Sequence, residues 1–196
     1  MVDETVLREA GLALGDGFPP SGLEPGGYLF ATIHRAENRG PAALVAWAGL
    51  LDRVATSSRP VILAIHPGTR LALERAGIGL SPNVYLVEPQ GYRVSLALQL
   101  HAAAVLTDSG GVQRESAWLG VPCLVLRNTT EWVEAVADSG GRMVVVGLDA
   151  DRAVDVLATL APADRAGELA RARAAAFDLE PAGAAEAIVD ALDSAV

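Results

Sequence analysis

Six short apolar runs punctuate this chain: YLFATI over residues 28–33, PVILAI over 60–65, NVYLV over 83–87, VLT over 105–107, CLVL over 123–126 and RMVVV over 142–146. They are largely continuous rather than alternating, and they are rich in β-branched side chains. That pattern predicts strands buried on both faces, as in a parallel sheet. Between them the period changes. PAALVAWAGLLDRVAT, RVSLALQLHAA and GVQRESAWLG place apolar residues at helical spacing. Strand and helix therefore alternate, which predicts an α/β fold with a doubly wound, Rossmann-like parallel sheet. Pro41 stands where a helix begins, and Gly120, just before Val121-Pro122, where one ends.

The flanks read differently. Residues 1–12 predict one short helix, and Asp16 to Gly27 form a Gly/Pro-rich connector without periodicity. From Asp149 onward the chain is Ala-rich and helical, with breaks at Pro162 and at Glu180-Pro181. The expected division is a helix and connector over 1–27, then one domain over 28–196 that ends in a helical tail.

In an open parallel sheet, ligands bind beyond the carboxyl ends of the strands, where loops splay and helix N-termini point inward. The unusual polar residues of this chain fall there. His34-Arg35-Ala36-Glu37-Asn38 follows the first strand, His66-Pro67-Gly68-Thr69-Arg70 the second, and Glu88-Pro89-Gln90-Gly91-Tyr92 the third. Asp108-Ser109-Gly110-Gly111 follows the fourth, and Arg127-Asn128-Thr129-Thr130-Glu131 the fifth. Ser109-Gly110-Gly111 leaves backbone N–H groups bare at a helix start, an arrangement suited to a phosphate or diphosphate. Taken alone, the same residues also fit a helix cap followed by a glycine turn.

Glu115 lies about one turn further in. A carboxylate there cannot bind phosphate, but it can accept hydrogen bonds from two sugar hydroxyls, which suggests a ribose; a solvated helix Glu is the alternative. His34 and His66 sit at equivalent strand ends, each near an Arg, and favour an anion pocket over two unrelated structural histidines. His101 lies within a helical pattern and needs no special role.

Composition narrows the classes. The net charge is -9 and all 15 basic residues are Arg, so no basic stripe exists for nucleic acid. The lack of Lys excludes a Walker-type phosphate loop and Schiff-base catalysis. Three His and one Cys offer no zinc-like spacing, so no metal site is expected; no cofactor is expected either. Cys123, inside an apolar run, is expected to pack rather than react. No apolar stretch reaches the roughly 20 residues of a membrane span, and a cytoplasmic protein with no membrane contact is expected.

Five segments carry a resemblance. ATIHRAEN, AIHPGTR, VEPQGY, TDSGGVQRESAWLGVPCLVLRNTTEWVEAV and GAAEAIVDAL are similar, in that order, to the carboxyl-terminal half of non-hydrolysing UDP-N-acetylglucosamine 2-epimerases. The resemblance implies the second domain of a GT-B arrangement. It implies that Ser109, Gly110 and Gly111 hold the diphosphate of UDP or a UDP-N-acetylhexosamine, and that Glu115 binds the ribose. Gln90 would lie near the uracil and ribose, and His34 would reach the diphosphate and sugar as the one catalytic residue in the chain. Arg127 and Glu131 would support the site, while Arg35 and His66 match positions that help bind a second UDP-sugar as activator. Ser95 stands where some members carry an aromatic residue, and Trp132 where some carry Arg.

The family reaction removes the C2 proton of the sugar, eliminates UDP and adds it back after reprotonation on the other face. The carboxylates for that acid/base work belong, by the resemblance, to an amino-terminal domain. Met1-Val2-Asp3 is similar to the interior of the family's interdomain segment. The chain is thus expected to be a piece of the two-domain protein, or a product whose other half is a separate polypeptide, and to be inactive alone; a homodimer is also compatible. Two rival readings are a non-catalytic UDP-sugar-binding subunit and the donor domain of a GT-B glycosyltransferase.

Overall fold

The computed structural model describes residues 26–160. The helix expected over residues 1–12, nearly all of the connector and the tail beyond 160 lie outside them. Six strands form one sheet: β1 (Leu29–Thr32), β2 (Val61–Ala64), β3 (Val84–Val87), β4 (Ala104–Thr107), β5 (Cys123–Val125) and β6 (Met143–Val145). Every pairing is parallel and the order is β3-β2-β1-β4-β5-β6. The expected doubly wound sheet is present. Each strand falls within the apolar run that predicts it, except that β4 starts one residue early, at Ala104.

This order creates one special place. The chain builds outward from β1 to β3, then returns to the other side of β1 to lay down β4. Crossovers on the two sides diverge there, which opens a crevice at the carboxyl ends of β1 and β4.

Alternation along the strands divides the core. Leu29 and Ala31 of β1, Val61 and Leu63 of β2, and Leu106 of β4 face one layer, in which α1 (Pro41–Val54) supplies Leu44, Trp47, Leu50 and Leu51. Leu73 of α2 (Pro67–Ala76) and Leu157 of α6 (Ala150–Thr159) complete that layer. Phe30, Ile62 and Val105 point the other way, against Leu98 of α3 (Tyr92–His101) and the flank of α4 (Gly110–Leu119). Cys123, Val125 and Met143 extend this second layer toward α5 (Val133–Asp138). Both faces of the sheet are therefore covered over its central strands, as the unbroken apolar runs require, whereas on the edge strand β3 Leu86 is exposed. Among the described residues no helix is long and apolar enough to cross a membrane.

Local chemistry sets the helix ends. Pro41 and Pro67 occupy first-turn positions, where no N–H is missed. Gly77 and Gly120 close α2 and α4 in the left-handed region, at φ 66° and 65°. One loop differs from its sequence reading. His66-Pro67-Gly68-Thr69-Arg70 is the cap and first turn of α2, because the His66 Nδ1 accepts a hydrogen bond from the Gly68 N–H at 3.1 Å and Pro67 presets the helical φ.

Trp47 ties this core to the crevice. It is fully buried, and its indole N–H donates to the Asn38 carbonyl at 3.0 Å, in the short 3-10 turn Ala36–Arg39 that follows β1. Trp47→Phe removes both packed volume and that bond, with an expected cost of about 2–3 kcal/mol. Urea unfolding of the chain measures it, and a change below about 0.5 kcal/mol would mean that the indole N–H contributes nothing.

Candidate functional site

The β4 strand ends in a buried acid. Asp108 has no solvent exposure, and its carboxylate accepts from the backbone N–H of His34 at 3.1 and 3.2 Å, from that of Arg35 at 2.9 Å and from Asn38 Nδ2 at 2.8 Å. All three donors belong to the loop after β1. A buried carboxylate persists only when such donors surround it. Here they fix the β1 loop against the start of α4, some 70 residues away in sequence. The paired hydroxyls of Thr32 and Thr107, 2.7 Å apart, continue the seam below, and Thr107 Oγ1 accepts from the Ser109 N–H at 3.0 Å.

His34 lies on this seam. Its Nδ1 is 3.6 Å from Asp108 Oδ1 while the ring is half exposed, so Nε2, on the far edge, is turned away from that carboxylate. Arg39 donates to the His34 carbonyl at 2.9 Å. Ser109 caps α4, its Oγ accepting from the Val112 N–H at 3.5 Å. Among the described residues, the N–H groups of Gly110 and Gly111 have no hydrogen-bond acceptor, as in the first turn of a helix, and they lie at its positive end.

Gly110 also lets the loop after β5 approach closely. A Cβ on it would collide with the Glu131 carboxylate and lie 3.2 Å from Trp132 Nε1. Trp132 donates from that nitrogen to the Gly110 carbonyl at 2.8 Å, so the loop after β5 packs directly on the helix start. Glu131 pairs with Arg35 at 3.2 Å and with Arg127 at 2.5 Å, and Arg127 also reaches Glu37 at 3.4 Å. Its own backbone N–H and then the Arg127 guanidinium hold the Glu131 carboxyl below the usual carboxylate range. Loops from three adjacent strands, β1, β4 and β5, thus converge: His34, Arg35, Ser109, Gly110, Gly111, Arg127 and Glu131 form one group.

The other sequence-derived candidates stand apart. Glu115 lies on the α3 side of α4, where Gln99 Nε2 donates to one of its oxygens at 2.7 Å. Gln99 is itself buried and linked to Ser116 at 3.3 Å. Gln90 donates to the Glu88 carbonyl at 2.7 Å, and Glu88 pairs with Arg70 at 2.9 Å, which joins the β3 loop to α2. Among the described residues no hydrogen bond or ion pair connects His66 or Gln90 to the His34–Glu131 group.

Sequence reasoning placed Asp108 and Asn38 among the strand-end polar residues but missed the brace between them. Asp108 looks like an ordinary cap in the sequence, and Gln99 carries no local signal. The one clue is a run of apolar residues ending in Thr-Asp directly before the glycines. Arg114 stacks over the rings of Trp132 and Trp118, at 4.6 and 5.2 Å.

Two outcomes follow from this geometry. Asp108→Asn places an amide against N–H donors and should cost about 2–4 kcal/mol; faster hydrogen exchange at the His34 and Arg35 amides would report the released loop, and unchanged exchange would refute the bracing role. Burial pushes the Cys123 thiol up to about 12 despite a Ser116 hydrogen bond. Its neutral form should resist thiol reagents at pH 8 until the chain unfolds; rapid labelling of the folded chain would contradict that burial.

Comparison with known proteins agrees with this architecture. The family model described as UDP-N-acetylglucosamine 2-epimerase matches residues 8–193. A UDP-2,3-diacetamido-2,3-dideoxy-D-glucuronate 2-epimerase of Pseudomonas aeruginosa is 41% identical over 130 residues, 66% of this chain and 36% of that protein. The UDP-N-acetylglucosamine 2-epimerase of Escherichia coli K12 is 36% identical over 136 residues, 67% of this chain and 35% of its own length. The chain thus spans about a third of these curated relatives. Among solved structures, the UDP-GlcNAc 2-epimerase of Neisseria meningitidis, bound to UDP-GlcNAc, superposes with a TM-score of 0.72 at 26% identity, over 97% of this chain and 50% of that one. The chain belongs to the UDP-N-acetylglucosamine 2-epimerase family.

Proposed function

We propose that this chain is the UDP-binding, carboxyl-terminal part of a UDP-N-acetylglucosamine 2-epimerase, which interconverts UDP-N-acetylglucosamine and UDP-N-acetylmannosamine, and that it contributes nucleotide grip and charge stabilisation rather than the proton transfers at C2. The observation that carries this reading is the Asp108 brace, which holds the His34 loop against the Ser109-Gly110-Gly111 turn at the switch point. A diphosphate at the head of α4 would meet two bare N–H groups, the Ser109 hydroxyl and the outward edge of His34. Those groups would stabilise the negative charge that develops as UDP leaves, and retain UDP for re-addition. His34 would act here as the contact to the reacting sugar phosphate.

Glu115 fits a ribose. The Gln99 amide holds one carboxylate oxygen and orients the group, so the other remains to accept from sugar hydroxyls. Gln90, in the β3 loop, would lie toward the base. Arg127 would support the diphosphate, with Glu131 at the edge of its site, and Arg35 and His66 are assigned to a second UDP-sugar as activator, Arg35 from a position beside Glu131 that also faces the diphosphate. Because the family members matched are about three times longer than the matched region, the acid/base groups would come from the other domain or from a partner chain that supplies it. The bound UDP-GlcNAc of the Neisseria meningitidis relative supports the nucleotide class.

Calorimetric titration of the chain with UDP, UDP-N-acetylglucosamine and ADP tests the reading. Both uridine ligands should bind and ADP should bind more weakly. Glu115→Ala should weaken UDP by about 10- to 100-fold, the equivalent of roughly 1.5–3 kcal/mol for hydrogen bonds to a charged group. Equal or absent binding of all three would reject the nucleotide reading, and full epimerisation by this chain alone would reject the division of labour.

A further inference from the structure

Glu131 is a carboxylate in a place suited to a phosphate. It lies against Gly110 at the positive end of α4, and its two oxygens take the guanidiniums of Arg35 and Arg127. We propose that Glu131 is a built-in competitor of the diphosphate, whose side chain must rotate away so that the ligand can take over Arg35, Arg127 and the head of α4. This rests on the nucleotide reading above and adds to it a specificity device: only a ligand with enough negative charge to replace the carboxylate gains both arginines.

The local charges fit such an exchange. Arg35 and Arg127 are balanced by Glu37 and Glu131. Swinging Glu131 out leaves one net positive charge in the cluster, complementary to an anion. Leaving it in place would set a phosphate beside an ionised carboxylate, and like charges at that range repel. The low proton affinity of Glu131, held down by its own backbone N–H and Arg127, keeps the repulsion in force at neutral pH.

The surroundings make the motion a side-chain rotation rather than a loop rearrangement. On one side Thr130 Oγ1 donates to the buried Gln113 at 2.6 Å and accepts from the Trp132 N–H at 3.1 Å. On the other the Trp132 indole is bonded to the Gly110 carbonyl. The backbone around Glu131 is thereby pinned to α4, while its side chain is 41% exposed. Arg127, only 14% exposed and still paired with Glu37, would stay in position when Glu131 leaves.

The test compares wild type, Glu131→Gln and the double variant Glu131→Gln/Arg127→Gln by calorimetric titration with UDP, inorganic pyrophosphate and uridine. Thermal unfolding verifies that each is folded. Glu131→Gln should bind UDP and pyrophosphate roughly 3- to 10-fold more tightly than wild type, leave uridine unchanged, and lose the gain in the double variant. Equal or weaker pyrophosphate binding by folded Glu131→Gln would overturn the proposal and assign Glu131 a supporting role. A gain for pyrophosphate without any preference for UDP would uphold the competitor while rejecting the nucleotide reading. Failure of every folded variant to bind pyrophosphate or UDP would overturn both.

Discussion

One buried carboxylate organises the carboxyl end of this sheet. Asp108 sits at the point where β4 gives way to α4, without contact with solvent, and it is satisfied almost wholly by the loop that follows β1. Removing a carboxylate from water is unfavourable unless hydrogen bonds replace its hydration. The converse constrains the fold: the His34 and Arg35 amides and the Asn38 side chain must assume the one arrangement that surrounds Asp108. Trp47 secures Asn38 from behind. The geometry of the crevice is thus tied to the packing of the core.

Two kinds of electrostatics meet there. The brace is buried, whereas the Arg35–Glu131–Arg127–Glu37 cluster above it is partly solvated. Exposed ion pairs contribute little to stability, so under the proposed function the weight of this cluster would fall on what it presents to a ligand. Gly110 serves both layers. Its missing side chain leaves room for the Glu131–Trp132 segment, and its N–H is one of the bare donors at the helix start.

Much of the fold was legible because its determinants are local. Strands buried on both faces leave unbroken apolar runs, and all six observed strands lie in such runs apart from one residue at the start of β4. Pro41 and Gly120 mark helix ends by their own backbone preferences. The HPGTR segment was harder, since a His cap on a Pro-Gly turn looks like a polar loop until the Nδ1 bond is seen. Within the site, the glycine turn and the strand-end histidines stand out in sequence because few structural needs place them there. The brace does not. Its partners are backbone N–H groups, which every residue carries, and they lie 73 and 74 residues from Asp108. The Glu115–Gln99 and Arg35–Glu131 pairings likewise depend on how helices and loops pack across the sheet.

The central claim is that loops from separate strands act as one diphosphate cradle. Amide-resolved NMR titration of the chain with UDP tests it most directly. The account predicts that the Gly110 and Gly111 resonances shift with those of His34 and Arg35, and that all four saturate along one binding curve. Shifts confined to other loops, or separate curves for the β1 and β4 segments, would contradict it.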